Sequence, residues 1–275
     1  TDKQTGCRLI ERPAAMFQLI RENPRHGMTS WRVGEIMSCK NLNESCAVRR
    51  LGERFNDLQS ERDFEIGFSR SKLRVTVRLP KHSRGLIFDV CCDWLETPVV
   101  GEFVPQLRFA VPVAYDVRHS RSDIPMGDID RPTLAHDVPC IGGFQLCGDG
   151  GADILLCSDS KYAYRAWDNV GSVTLLRSSY DPDPFPELGQ HRMSLCVGVV
   201  HSTAEAVRLN TVLTHPPIYT SAPPVPHEGT LPLSGVLLNT RFEADSLELV
   251  AVKPAENGGG VVVRLLNRGD SPAVA

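Results

Sequence analysis

Alternation of apolar and polar residues with a period of two constrains this chain more than any other feature. In LRVTVRL, Leu73, Val75, Val77 and Leu79 fall on one side of an extended backbone and Arg74, Thr76 and Arg78 on the other. That is the pattern of an antiparallel strand with one face on a core and one in water. The HSRG that follows supplies a turn, and Leu86 to Trp94, LIFDVCCDW, reads as the returning strand of a hairpin. The period recurs in LRFAVPVAY, where Leu107, Phe109, Val111, Val113 and Tyr115 share a face, and in RMSLCVGVV, where Met193, Leu195, Val197 and Val199 turn inward. ADILLCSD reads as a short buried strand beside the latter in one sheet, and Met28–Ile36 and Ala47–Phe55 as two further strands. Pro112 has no amide hydrogen to give, so its strand is expected at a sheet edge or with a bulge there. Only Thr203–Leu213 has helical spacing, with Ala206, Leu209, Asn210 and Leu213 on one face. The fold class is therefore all-β.

Punctuation divides the chain. GGFQLCGDGG, Gly142 to Gly151, reads as hairpin turns; it lacks a GxGxxG opening a helix and so offers no phosphate cradle. YDPDPFPELG holds Pro182, Pro184 and Pro186, which require an ordered loop. HPPIYTSAPPVPHEGTLP offers few ladder donors and no apolar period, and reads as a linker. Beyond it VLLNT, LELVAV and GVVVRLL read as three strands, the last two joined across KPAENGGG. The expected organisation is a β-sandwich over 1–205, a proline-rich linker with a short helix over 206–232, and a small C-terminal β unit over 233–275.

Composition narrows the partners. A formal net charge of −3 with scattered Lys and Arg provides no basic stripe for a phosphate backbone, so nucleic acid is not an expected partner. No apolar run approaches the ~18 residues of a membrane span, so no membrane helix is expected. Nine irregularly spaced cysteines, several within strand-like runs, suit buried free thiols in a reducing compartment, and the expected location is the cytoplasm. TDKQTGCRLIERP has neither the basic start nor the apolar stretch of a signal peptide, and a first residue of Thr1 points to a piece of a longer chain.

One region is too particular in residue order to be generic strand and turn. SDSKYAY (Ser158 to Tyr164), VTLLRSSYDPDP (Val173 to Pro184) and GQH (Gly189 to His191) resemble, in this order, signatures of the glycoside hydrolase family 38 alpha-mannosidases. GMTSW at Gly27 to Trp31, IPMGDIDRPT within Arg121 to Thr133, and VKPAENGGGVVVRLLN are similar to further family elements, the last with Asn257 where an acidic residue is usual. The resemblance runs from about Met28 to Asn267. It implies a large twisted β-sandwich like the galactose mutarotase supersandwich. It also implies that the chain is the non-catalytic C-terminal β domain of a retaining hydrolase of alpha-mannosides. In such enzymes the nucleophilic aspartate and a zinc ion lie in an N-terminal barrel of the same polypeptide, which is the implied partner, with a mannoside as substrate.

The residues themselves offer little independent chemistry. A retaining glycosidase needs two carboxyl groups ~5 to 5.5 Å apart, but Asp128 with Asp130 and Asp181 with Asp183 sit beside prolines that favour Asx-type turns. Cys91 with Cys92, Cys140 with Cys147, and His191 with His201 lack tetrahedral metal-site spacing. No catalytic residue, metal ligand or cofactor is expected in this chain, and zinc is expected in the barrel. The candidate site residues are Lys161, Tyr162, Tyr164, Arg177 and His191, read as a rim that faces the barrel and helps to complete a sugar cleft. Two alternatives stay open. One is a carbohydrate-binding module using an exposed tryptophan, for which Trp167 is the loop candidate, Trp94 being expected in the core. The other is a mutarotase-type epimerase using His191, which lacks an evident glutamate partner.

Overall fold

A computed structural model describes residues 1–10, 15–184, 187–218, 234–235, 246–269 and 271–274. The chain divides into two compact units, Thr1–Thr214 and His215–Ala275.

The first unit is built from two antiparallel sheets. The larger has nine strands in the order β3 (Val48–Phe55), β4 (Gln59–Phe68), β5 (Ser71–Pro80), β6 (Gly85–Trp94), β15 (Gly189–Val200), β12 (Asp153–Ser158), β11 (Phe144–Gly148), β8 (Val117–Ile124) and β9 (Gly127–Pro132). The smaller has six, ordered β10 (Val138–Pro139), β13 (Ala163–Trp167), β14 (Val170–Arg177), β7 (Val104–Pro112), β1 (Met16–Glu22) and β2 (Ile36–Asn41). A single turn of helix, α1 (Leu42–Ser45), carries the chain from β2 to β3 with Leu42 fully buried. The alternating residues read from sequence meet between the sheets. Leu73, Val75, Phe88 and Val90 from the larger sheet join Phe17, Leu107, Phe109 and Val173 from the smaller in one core. Phe109 touches both layers, its ring 5.3 Å from Phe17 and 5.1 Å from Phe88. Trp94 is fully buried and donates its indole N–H to Ser178 Oγ at 2.7 Å.

The expected hairpin of β5 and β6 and the neighbouring strands β12 and β15 are present, each pair antiparallel. Three expectations need correction. The strand ending at Pro112 is central, with all of β7 buried between β1 and β14. Pro112 is its last residue, opposite Val170, where no further ladder bond is lost, and the bulge lies in β14 between Thr174 and Leu176. Met28–Ile36 is a loop; β2 starts only at Ile36, and Gly27 and Met28 take left-handed φ values of 59° and 51° that no strand accommodates. The glycine-rich Gly142–Gly151 is more than turns, because Phe144 and Leu146 pair with Leu156 and Ile154 and send their side chains into the core as β11.

The expected helix is α2 (Thr203–Thr214). It starts with Ser202 as its cap, Ser202 Oγ accepting from Glu205 N at 3.2 Å, while Glu205 Oε2 accepts from His201 N, one residue before the cap, at 2.9 Å. Ala206, Leu209 and Leu213 cover Leu155, Cys157, Cys196 and Val200 on the outer face of the nine-stranded sheet. Two glycines paired in register, Gly85 and Gly198, form the seat of Leu209. A Cβ at Gly198 would lie 2.2 Å from Leu209 Cδ2, so the helix docks at a depth that only glycine permits there.

In the second unit β16 (Leu247–Pro254) and β17 (Val261–Asn267) form the expected hairpin, turning at Gly258 with φ 71°. VLLNT and most of the proline-rich segment lie outside the described residues. All nine cysteines are free, and Cys92, Cys140, Cys147, Cys157 and Cys196 are buried. No helix among the described residues is long and apolar enough to cross a membrane.

Candidate functional site

On β7 the residues that alternate with Leu107 and Phe109 are Gln106 and Arg108, which face away from the core yet are 0% and 4% exposed. They belong to a buried polar network laid across the outer face of the six-stranded sheet. Glu22, fully buried at the end of β1, accepts Nε of Arg177 at 2.9 Å on Oε1, its NH2 group at 2.9 Å on Oε2, and Gln106 Nε2 at 3.0 Å. Gln106 Oε1 accepts from Arg108 at 2.7 Å, and Arg108 reaches Asp137 at 3.3 Å. Asp137 also accepts from Arg165 at 2.9 Å and Thr174 at 2.6 Å. Burial strips water from the Arg108 guanidinium and lowers its pKa, against the opposing pull of Asp137. Three arginines thus share two carboxylates in a closely bonded array, where each group is worth keeping because its partner would otherwise be stranded.

The polar residues of the distinctive motifs build the walls above this array. Ser158 Oγ accepts the N–H groups of Ser160 and Lys161 at 3.3 and 3.2 Å, and Asp159 Oδ1 accepts that of Ser194 on β15 at 3.0 Å, which fixes the loop carrying Lys161 and Tyr162. Thr29 Oγ1 accepts from the N–H groups of Tyr180 and Asp181 at 2.9 and 3.0 Å. Asp181 Oδ2 holds Met28 N at 2.8 Å and its carbonyl holds Ser30 N at 2.8 Å. Arg177 donates to the carbonyls of Thr29 and, at 2.8 Å, Arg32. Loop 23–35 and segment 177–183 are therefore one hydrogen-bonded body, and it presents Trp31 70% exposed.

Between these walls lies a cleft of about 500 Å³, lined by Gln106, Asp137, Lys161, Tyr162, Thr174, Arg177 and Glu187. The structure brings three of the five sequence candidates, Lys161, Tyr162 and Arg177, to this cleft, and Tyr162 is 56% exposed at its mouth. Tyr164 is not on the rim. It lies in β13 with the opposite phase, fully buried and stacked on Phe144 at 5.2 Å, and burial pushes its phenol well above the ordinary range. His191 stands on the other sheet, opposite Cys92, and reaches the cleft only through a 2.6 Å contact between Nε2 and the Glu187 carbonyl. The carboxylate pairs serve structure: Asp181 as above, while Asp130 is held by both faces of the Arg121 fork at 2.8 and 3.0 Å, which lowers its pKa. Glu22, Gln106 and Asp137 were missed in the sequence. Polar residues inside an otherwise apolar strand, Gln106 and Arg108 in LRFAVPV and its lead-in, are the signal that marks them. Among the described residues no group of three or more His, Cys, Asp or Glu could hold a metal ion. Chemically the cleft presents the Lys161 ammonium, the Glu187 carboxylate and the Tyr162 ring at its edge, above Gln106, Asp137 and Arg177, whose polar atoms are already engaged in the network.

Two facing antiparallel sheets of nine and six strands place the chain in the class of large β-sandwiches, with a mostly apolar cleft, edged by Asp137, Lys161, Arg177 and Glu187, on the outer face of the smaller sheet. The sequence profile of the glycosyl hydrolases family 38 C-terminal domain matches residues 1–185, and the chain belongs to that family. An alpha-mannosidase from Enterococcus faecalis V583 superposes on 93% of this chain and 33% of its own, with a TM-score of 0.72 at 13% identity. A protein in the glycosyl hydrolase family 38 from Enterococcus faecalis covers 93% of this chain and 34% of its own, with a TM-score of 0.75 at 14% identity. The chain thus spans about a third of the length of these two structures. A search of curated proteins by sequence gave no match.

Proposed function

We propose that this chain is the non-catalytic β domain of an alpha-mannosidase, and that the cleft over Gln106, Lys161, Tyr162 and Arg177 faces the catalytic barrel of the same polypeptide and completes its sugar-binding groove. The observation that carries this reading is the family match over residues 1–185 in a chain that spans a third of its structural relatives. The character of the cleft supports it. Its floor is a hydrogen-bonded network and its edge carries Lys161, Tyr162 and Glu187, as an interface or a sugar-facing surface requires. In this reading hydrolysis and the zinc ion belong to the barrel, the working location is the cytoplasm, and this chain contributes binding and orientation only. The longer protein should be made with Lys161→Ala and Tyr162→Ala, alongside the isolated chain with the same changes. The longer protein is expected to lose mannosidase activity or melting temperature while the isolated chain melts almost unchanged; equal effects in both would refute the interface. A second reading, a free-standing carbohydrate-binding module, is favoured by Trp31, whose exposed ring stands on a hydrogen-bonded stem. Titration of the isolated chain with methyl mannoside separates the two: saturable quenching of tryptophan emission, lost in Trp31→Ala, supports the module.

A further inference from the structure

The outer face of the nine-stranded sheet holds a groove that the mannosidase reading does not use. It runs between α2 and the turn joining β5 to β6 and encloses about 380 Å³, within the range of small-molecule sites. Its floor is apolar: Ile87, Cys196 and Val200 are 9%, 2% and 1% exposed, and Leu209, Leu213 and Val212 form the helix side. Its mouth is cationic. Lys81 and Arg84 lie on the turn and Arg208 on the helix, against one carboxylate, Glu205. Glu205 is already engaged, 3.1 Å from Arg84 and 3.4 Å from His201 Nδ1. Among the described residues neither Lys81 nor Arg208 has an ion-pair partner. An apolar trough ending in two uncompensated cations matches one chemistry: an apolar tail carrying a negative head. We infer that this groove binds an anionic amphiphile, the tail lying along Ile87, Val212 and Leu213 and the carboxylate between Lys81 and Arg208.

The groove is rigid enough to discriminate, because Leu209 is seated on Gly85 and Gly198 and fixes the depth of α2. Tail burial is worth a factor of about 4 in affinity per methylene, so a tail shortened by two carbons should bind roughly 15-fold more weakly. The exposed head-group pair contributes less, roughly fivefold, and should fade with salt.

The test is calorimetric titration of the 275-residue chain with decanoate, octanoate and decyltrimethylammonium, each below its micelle concentration. Expected are saturable one-to-one binding of decanoate, weaker binding of octanoate by the factor above, and weaker binding of the cation than of decanoate. In Lys81→Ala/Arg208→Ala the preference for the anion should disappear while the chain-length dependence remains. Val212→Glu, which places a carboxylate at the exposed edge of the groove, should weaken decanoate in a protein of unchanged melting temperature. No saturable decanoate binding, equal or tighter binding of the cation to the wild-type chain, or an anion preference that survives the double substitution would each overturn the assignment. The site lies on the sheet opposite the cleft, so Lys161→Ala should leave decanoate binding unaltered whether or not the mannosidase reading holds.

Discussion

Arg177→Met should cost far more than an ordinary rim substitution, because of what it strands. The Glu22 side chain is 1% exposed and that of Arg177 15%, so the pair is largely desolvated. Arg177 supplies hydrogen bonds to Glu22 at 2.9, 3.1 and 2.9 Å; without them only Gln106 Nε2 and Gly34 N, each at 3.0 Å, remain. Removing one partner of a buried pair typically costs ~3–5 kcal/mol, mostly the penalty of the abandoned charge. For a unit of this size ~1 kcal/mol corresponds to ~2–4 °C, so the melting temperature should fall by roughly 6–20 °C. Arg177 also ties the carbonyls of Thr29 and Arg32, so loop 23–35 should become sensitive to protease before the sandwich melts. Calorimetry and limited proteolysis of the isolated chain would read both effects, and Glu22→Gln/Arg177→Met should recover part of the loss by removing the stranded charge. A shift under ~2 °C for Arg177→Met, or a double variant worse than the sum of the singles, would refute the view that this network holds the cleft together.

Gly198→Ala should lift α2, since its Cβ would sit 2.2 Å from Leu209 Cδ2; a cost of ~1–3 kcal/mol and faster amide exchange confined to 203–214 are expected. Acid should weaken the larger sheet. Asp63 is held below the usual carboxylate range by the Thr76 hydroxyl and then Arg54, and Glu65 by Arg74, so their folded pKa values lie below their unfolded ones. Their contribution is complete above the unfolded value near ~4 and is lost as pH falls through the folded values, so the urea midpoint should drop from about pH 5 to pH 3 and drop less in Asp63→Asn. Native alkylation should modify the exposed Cys39 and spare Cys157, whose thiol is raised by its hydrogen bond to Cys196 and by burial; labelling of Cys157 in the folded chain would contradict the seating of α2.

How much of this was legible depends on which side of a strand carries the information. Where one face meets the core and the other water, as in β5 and β15, period-two alternation located strand and phase together. In β7 both faces are buried, one by apolar packing and one by the Glu22 network; alternation marked the core face, and the edge position expected from Pro112 fails because Pro112 ends the strand. Met28–Ile36 is a loop and not the expected strand because its conformation is imposed by Thr29 and Asp181, about 150 residues apart, which leaves no local pattern. The same distance explains the site. Lys161, Tyr162 and Arg177 could be named from motif order, whereas Glu22 lies 155 residues from Arg177 and signals itself only as a polar residue at a strand end. Tyr164 was misplaced because the strand begins at Ala163, after Tyr162, and its pleat turns the second tyrosine inward.

In the proposed arrangement the cleft face is covered in the longer protein and open in this chain. Acetylation of Lys161, followed by mass spectrometry in the isolated chain and in the longer protein, measures this directly, with Lys81 on the opposite sheet as internal reference. Lys161 should react roughly tenfold more slowly in the longer protein, the factor that about 1.4 kcal/mol of protection gives, while Lys81 reacts equally in both. Equal rates for Lys161 in the two proteins would contradict the claim.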